Sequence, residues 1–163
     1  MRLTAGMTAS KSAEAYHYEA IHPSSRFGLE LSSTMAEELN RFEMELRINT
    51  GTWIVRGQIV YNPGADTLSY LDSGGNTQVF ASNVKLYSYN YLFNTFKLVL
   101  DQPLLKYSRC VVNDVEYDLS AYDLYASPDT TGPHMEAIVK IVGAADDNYG
   151  VYIDDVIITQ NEP

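Results

Sequence analysis

The sequence predicts an all-β chain folded as a two-sheet antiparallel β-sandwich, and three observations carry that expectation. Short apolar/polar alternations recur at roughly 8–12-residue spacing with Gly, Pro, Asn and Asp between them, as in sandwiches and barrels. The 163 residues include 13 Tyr and 5 Phe against a single Trp. Tyrosine suits strands, where a half-buried ring packs while its hydroxyl stays wet. Strands do not alternate with helices, so a parallel sheet is not expected.

The elements follow in order. Residues 15–21 alternate around Tyr16, Tyr18 and Ala20, and residues 26–32 follow after His22-Pro23-Ser24-Ser25. A helix is tempting from Ser33 to Leu46, because Thr34 could cap it and Glu37 stands three residues later, as in a capping box. Yet Arg41-Phe42-Glu43-Met44-Glu45-Leu46-Arg47-Ile48 alternates charged with apolar residues, the period of a half-buried strand. That part reads as a strand, with at most one helical turn before it. Residues 53–61 form the next strand, and Asn62-Pro63-Gly64-Ala65-Asp66 turns the chain into residues 67–71. Closing that turn from Pro63 to Asp66 puts Ile59, Tyr61, Leu68 and Tyr70 on one face. Asp72-Ser73-Gly74-Gly75-Asn76 turns again into residues 77–81, and residues 96–100 run until Pro103 stops them.

The plainest hairpin spans residues 107–119 about Asn113-Asp114, which tolerate the positive φ of a two-residue primed turn. Its register pairs Val112 with Val115, Cys110 with Tyr117 and Arg109 with Asp118. The first two pairs share an apolar face, and an ion pair is expected on the other. Residues 135–142 and 149–159 close the sheets.

Length suits one domain over residues 1–163, with no repeat, linker or low-complexity tract. The formal charge is −10, from 21 acidic and 11 basic residues. A field of that sign repels phosphate backbones and anionic headgroups, so nucleic acid and membranes are poor partners, while cations, neutral sugars and basic protein surfaces suit it. Cys110 is alone, which excludes an internal disulfide and a cysteine metal cluster. No run approaches the ~18–20 apolar residues of a membrane span. Met1-Arg2-Leu3-Thr4-Ala5-Gly6 lacks the apolar run of a signal peptide. Either the chain stays where it is made, or a leader has been removed before it.

The ending Gly150-Val151-Tyr152-Ile153-Asp154-Asp155-Val156-Ile157-Ile158 resembles the closing strand of jelly-roll carbohydrate-binding modules and of laminin-G and concanavalin A-like domains. Phe93-Asn94-Thr95-Phe96-Lys97-Leu98-Val99-Leu100-Asp101, followed by Val112-Asn113-Asp114-Val115-Glu116-Tyr117, is similar to a pattern common in concanavalin A-like modules. The resemblance runs from Arg26 to Thr159 and implies a concanavalin A-like jelly roll. That fold hosts lectins, glucanases, adhesion modules and virion proteins, so function does not follow from it.

The resemblance also implies that an Asp at Asp154 or Asp155 ligates a structural calcium. Calcium takes ~6–8 hard oxygens, and a carboxylate with loop carbonyls supplies them. Adjacent strand residues point to opposite faces, so only one of the two can serve a given site; the alternative is one capping Asp and one solvated Asp. Asp146-Asp147-Asn148 lacks the rest of a calcium-loop spacing and reads as a solvated turn. Tyr87, Tyr89 and Tyr91 alternate with Leu86, Ser88, Asn90 and Leu92, and an extended segment would set three rings on one face for sugar stacking. The competing reading has these rings covering the core. Trp53 carries the same two readings, stacking residue or core anchor.

Catalytic readings fare worse. Glucanases of the resembled fold carry three acids on one strand, whereas Glu43-Met44-Glu45 supplies two and reads as the outer face of an amphipathic strand. His17, His22 and His134 are scattered without zinc spacing. Cys110 falls on the inner face of its hairpin, where a thiol is inert. The sequence therefore points to a non-catalytic recognition module for carbohydrate or a glycan-bearing protein surface. The alternative is a structural or assembly protein, such as a phage or virus surface component, with a glycoside hydrolase third. Edge strands could pair copies into a homo-oligomer unless charges such as Lys97, Arg109 and Glu116 block them.

Overall fold

The computed structural model describes residues 1–5, 11–21, 25–35, 39–88, 92–143 and 150–163. Among them are thirteen strands and no helix. In chain order these are β1 (Arg2–Thr4), β2 (Ser12–Glu19), β3 (Arg26–Thr34), β4 (Leu39–Asn49), β5 (Trp53–Asn62), β6 (Thr67–Leu71) and β7 (Thr77–Ser82). There follow β8 (Phe93–Asp101), β9 (Lys106–Val112), β10 (Val115–Asp118), β11 (Tyr125–Pro128), β12 (His134–Gly143) and β13 (Gly150–Gln160). The first sheet has the order β1-β13-β3-β8-β9-β10, and the second β2-β12-β4-β5-β6-β7 with β11 paired to β5. Every pairing is antiparallel.

The period-two pattern places the core. Phe27, Leu29 and Leu31 of β3 and Phe96, Leu98 and Leu100 of β8 are buried in the first sheet. Phe42, Met44, Leu46 and Ile48 of β4 and Met135, Ala137, Val139 and Ile141 of β12 answer them from the second. Phe42 and Phe96 meet between the sheets with ring centroids 5.1 Å apart. Tyr107 of β9 is fully buried, yet its hydroxyl is satisfied: it donates to Leu71 O at 2.8 Å and accepts from Gln58 N at 3.1 Å. Burial raises its pKa, and the hydroxyl stitches the two sheets together. Gly57 sits opposite Leu100, and a Cβ there would lie 2.7 Å from Leu100 Cδ1, closer than carbon atoms approach.

The hairpin register is the one the sequence predicts: Val112 faces Val115, Cys110 faces Tyr117 and Arg109 faces Asp118, with Asn113 at φ 54°. Cys110 is fully buried, and burial pushes its thiol up to about 12. The expected Arg109–Asp118 ion pair is corrected. Arg109 instead reaches Glu162 at 3.2 Å and Glu116 at 4.0 Å, and Asp118 accepts from Ser120 N. Cross-strand registry sets Cα neighbours, but a long guanidinium chooses the less solvated carboxylate. Ile59 pairs with Tyr70 and Tyr61 with Leu68, as the Pro63–Asp66 turn requires. Lys97 and Arg109 lie on interior strands β8 and β9, so they guard no sheet edge. They hold Glu162 of the chain end instead. No helix of the described residues is long and apolar enough to cross a membrane.

Candidate functional site

The outward-facing residues of the second sheet form rows set by register. One row runs Tyr18–Glu136–Arg47–Arg56–Tyr125 across β2, β12, β4, β5 and β11. The next runs Tyr16–Ile138–Glu45–Gln58, and a third Glu14–Lys140–Glu43–Val60–Ser69. Nine of these residues line a shallow polar depression of about 110 Å³: Glu14, Tyr16, Glu43, Glu45, Arg47, Arg56, Gln58, Ile138 and Lys140.

The floor of the face is ionic. Glu45 is 4% exposed although it faces outward. Its Oε1 accepts from Arg56 Nε at 2.5 Å and from Arg47 Nε at 2.8 Å, and its Oε2 from an Arg47 Nη at 3.2 Å. Burial raises its carboxyl pKa, but the hydrogen bonds and charges of the two arginines outweigh it and hold the group ionised, below its ordinary range. Arg47 also reaches Glu136 at 3.5 Å, and Glu136 pairs with His134 Nε2 at 2.8 Å. Lys140 pairs with Glu14 at 2.9 Å, and Gln58 Nε2 donates to Glu43 Oε2 at 2.8 Å.

The rim is aromatic. Tyr16 and Tyr18 are 49% and 61% exposed, and their rings stack at 6.2 Å with planes 11° apart. Tyr18 lies 5.9 Å from the His134 ring. At the other end of the same row, the Arg56 guanidinium covers Tyr125 at 5.5 Å. The face thus combines flat apolar surfaces, exposed at one end, with fixed donors and acceptors between them. Such a combination binds polar ring compounds: aromatic planes meet C–H faces while polar groups read hydroxyls.

The structure distributes the sequence-predicted residues elsewhere. Tyr87 is exposed, and Asn94 clasps its backbone through two hydrogen bonds of 2.9 Å. Tyr89 and Tyr91 lie outside the described residues, as do His22 and Asp146-Asp147-Asn148. Trp53 is 49% exposed, which corrects the core-anchor reading. It continues the inner row of β5 past the end of the core and, with Val55, Pro103, Leu105 and Ala126, walls an apolar pocket of about 340 Å³.

Asp154 and Asp155 are both exposed on β13. A bulge between Asp154 and Ile157, with Asp155 at φ 50°, interrupts the alternation on which the opposite-face expectation rests. A bulge inserts an unpaired residue and breaks the alternation. No group of three or more His, Cys, Asp or Glu side chains suited to a metal occurs among the described residues. The sequence placed Glu43 and Glu45 on the outer face of an amphipathic strand. They face outward and are buried: Arg41 and Arg47 of the same strand and Arg56 and Gln58 of β5 pair with them. Tyr16 and Tyr18 were legible as an alternating pair. Their alignment with Glu45 and Arg47 depends on strand order.

No protein-family model matches the sequence, and no curated protein does. Solved structures match in fold. The Emp47p carbohydrate recognition domain gives a TM-score of 0.59 at 12% identity, covering 96% of this chain and 80% of that one. Apo Crh5 transglycosylase gives 0.53 at 11% identity, over 99% and 73%. A polysaccharide lyase of family 18 gives 0.53 at 7% identity, over 98% and 84%. These likenesses establish the fold: the chain is a concanavalin A-like, jelly-roll β-sandwich. Because binding domains and enzymes both appear among them, the fold does not choose between recognition and catalysis.

Proposed function

We propose that this chain is a non-catalytic recognition module binding carbohydrate, or a glycan-bearing surface, on the outer face of the second sheet. The observation that carries the reading is the exposed Tyr16–Tyr18 stack beside the ordered Glu45–Arg47–Arg56–Gln58 floor. A carbohydrate recognition domain, that of Emp47p, is built on the same fold. Glycoside hydrolysis is left out because it needs a carboxylic acid with a raised pKa to protonate the leaving group. Glu45 of this face is instead held ionised by two guanidiniums.

A glycan array tests the reading. Binding to at least one glycan that is lost in a Tyr16→Ala/Tyr18→Ala double variant supports it; binding to none removes it. Tyr87→Ala, read on the same array, tests the Tyr87–Tyr89–Tyr91 platform separately. A structural calcium at Asp154 or Asp155 is a separable part of the proposal. Melting with calcium against chelator tests it, and an unchanged melting temperature deletes the ion. The assembly alternative draws on β2, a strand at the edge of its sheet carrying the same exposed tyrosines. Stable oligomers on sizing together with no glycan binding would favour it.

A further inference from the structure

One oxygen on this face lacks what a buried polar atom needs. Glu43 is 6% exposed, and its Oε1 has no hydrogen-bond donor, alone among buried side-chain polar atoms of the described residues. Arg41 Nε approaches to 2.5 Å, but the contact does not have hydrogen-bond geometry, so the guanidinium balances the charge without supplying the bond. A buried acceptor whose partner is a misaligned guanidinium gains from a better-placed donor. Glu43 lines the depression beneath Tyr16, so the donor can come from a ligand.

The charge balance of the face says which donor. Among the described residues its three arginines and Lys140 each already face a carboxylate: Arg41 with Glu43, Arg47 with Glu45 and Glu136, Arg56 with Glu45, and Lys140 with Glu14; His134 likewise faces Glu136. Among the described residues of this face no cation is left over to neutralise an incoming anion, and the whole chain stands at −10. The unsatisfied atom is itself a carboxylate oxygen, which repels carboxylate and sulfate. A hydroxyl suits it, since it donates to the carboxylate and still accepts from an amide or guanidinium N–H nearby. A depression of about 110 Å³ holds one hydroxyl-bearing edge of a sugar while the ring lies against Tyr16.

We infer that Glu43 is the specificity-determining acceptor of this face, taking a hydroxyl of a neutral sugar, and that sugars bearing carboxylate or sulfate are rejected. The inference rests on the carbohydrate reading above and adds the ligand's charge class and the residue that reads it. The test is affinity gel electrophoresis in laminarin, mannan and xyloglucan as neutral probes, and in alginate and dextran sulfate as anionic ones. Wild type is expected to be retarded by at least one neutral polymer and by neither anionic one. Glu43→Gln, with unchanged circular dichroism, is expected to weaken that retardation roughly tenfold or more, the loss of one charge-assisted hydrogen bond.

Retardation by alginate or dextran sulfate equal to that by the neutral polymers overturns the inference, and it needs no variant to be read. Neutral binding unchanged in Glu43→Gln overturns it too. Both results leave the carbohydrate reading standing. Absence of retardation in all five gels, with an empty glycan array, removes both.

Discussion

Replacing Glu45 by Gln tests the floor of the face directly. The carboxylate accepts three hydrogen bonds from two guanidiniums and is 4% exposed. Removing one partner of a buried ion pair leaves the other charge uncompensated and costs about 3–5 kcal/mol. Here the lower end applies. The Arg47 and Arg56 side chains are 28% and 29% exposed, Arg47 keeps Glu136 and Arg56 keeps the Tyr125 ring. A loss of about 3 kcal/mol corresponds to a fall in melting temperature of about 6–12 °C for a chain of this size.

The pH dependence has a definite sign. Glu45's folded pKa is lowered, so its contribution is complete above its ordinary value of 4.5 and is lost as pH falls through the lower folded value. Urea melts of wild type and Glu45→Gln at pH 7 and at pH 3 read both quantities. The gap is expected at pH 7 and should shrink at pH 3. A gap under about 0.5 kcal/mol at pH 7, the range of ordinary surface changes, would refute the argument. So would a gap of full size at pH 3.

Two further outcomes follow from the same structure. Gly57→Ala should cost about 1–3 kcal/mol by overpacking against Leu100, and Leu100→Ala alone about 2–5 kcal/mol by leaving a cavity. The double variant should recover at least about 1 kcal/mol of their sum, measured as a coupling energy in urea; strict additivity would mean the two sites do not touch. His134 should titrate above 6.5, because Glu136 and the Gly132 carbonyl both favour the protonated ring. Its stabilising contribution is therefore present at low pH and lost as pH rises through the folded value. An NMR titration checks this, and Glu136→Gln should bring the pKa back down.

The sequence read well where structure is local. The Asn113-Asp114 hairpin had its register right to the residue, because a two-residue turn leaves the flanking strands one way to pair. The strand of Arg41 to Ile48 outcompeted a plausible capping box because alternation over eight residues is a stronger signal than a cap. What escaped depended on distant partners or broken periodicity. Tyr125–Pro128 is short and ends in Pro, so it shows no period, and it becomes a strand only by pairing with the start of β5. Asp155 takes a positive φ without being Gly, and nothing in Asp154-Asp155-Val156 announces the bulge. The candidate site was half legible: Glu43 and Glu45 gave their side of the sheet away, while alternation grouped Tyr16 with Tyr18 without saying which side they face. That they meet follows from β12 lying between β2 and β4, which joins residues 134–143 to residues 12–19 and 39–49.

Stability is a weak account of this face. The outer surface of a sheet is covered cheaply by scattered solvated side chains, and a buried ion pair is weak evidence for stability because an apolar substitute often does as well. Here the chain instead draws Glu43 and Glu45 out of water on the solvent side of its most central strands and fixes them with Arg41, Arg47, Arg56 and Gln58. Fixing polar groups before a ligand arrives costs folding energy and lowers the entropy that binding must overcome. One carboxylate oxygen of that network, Glu43 Oε1, has the Arg41 guanidinium beside it but no hydrogen bond. A solely structural network would be expected to close on itself, whereas one preorganised for a hydroxyl would leave an acceptor open, which is the role proposed for Glu43 Oε1.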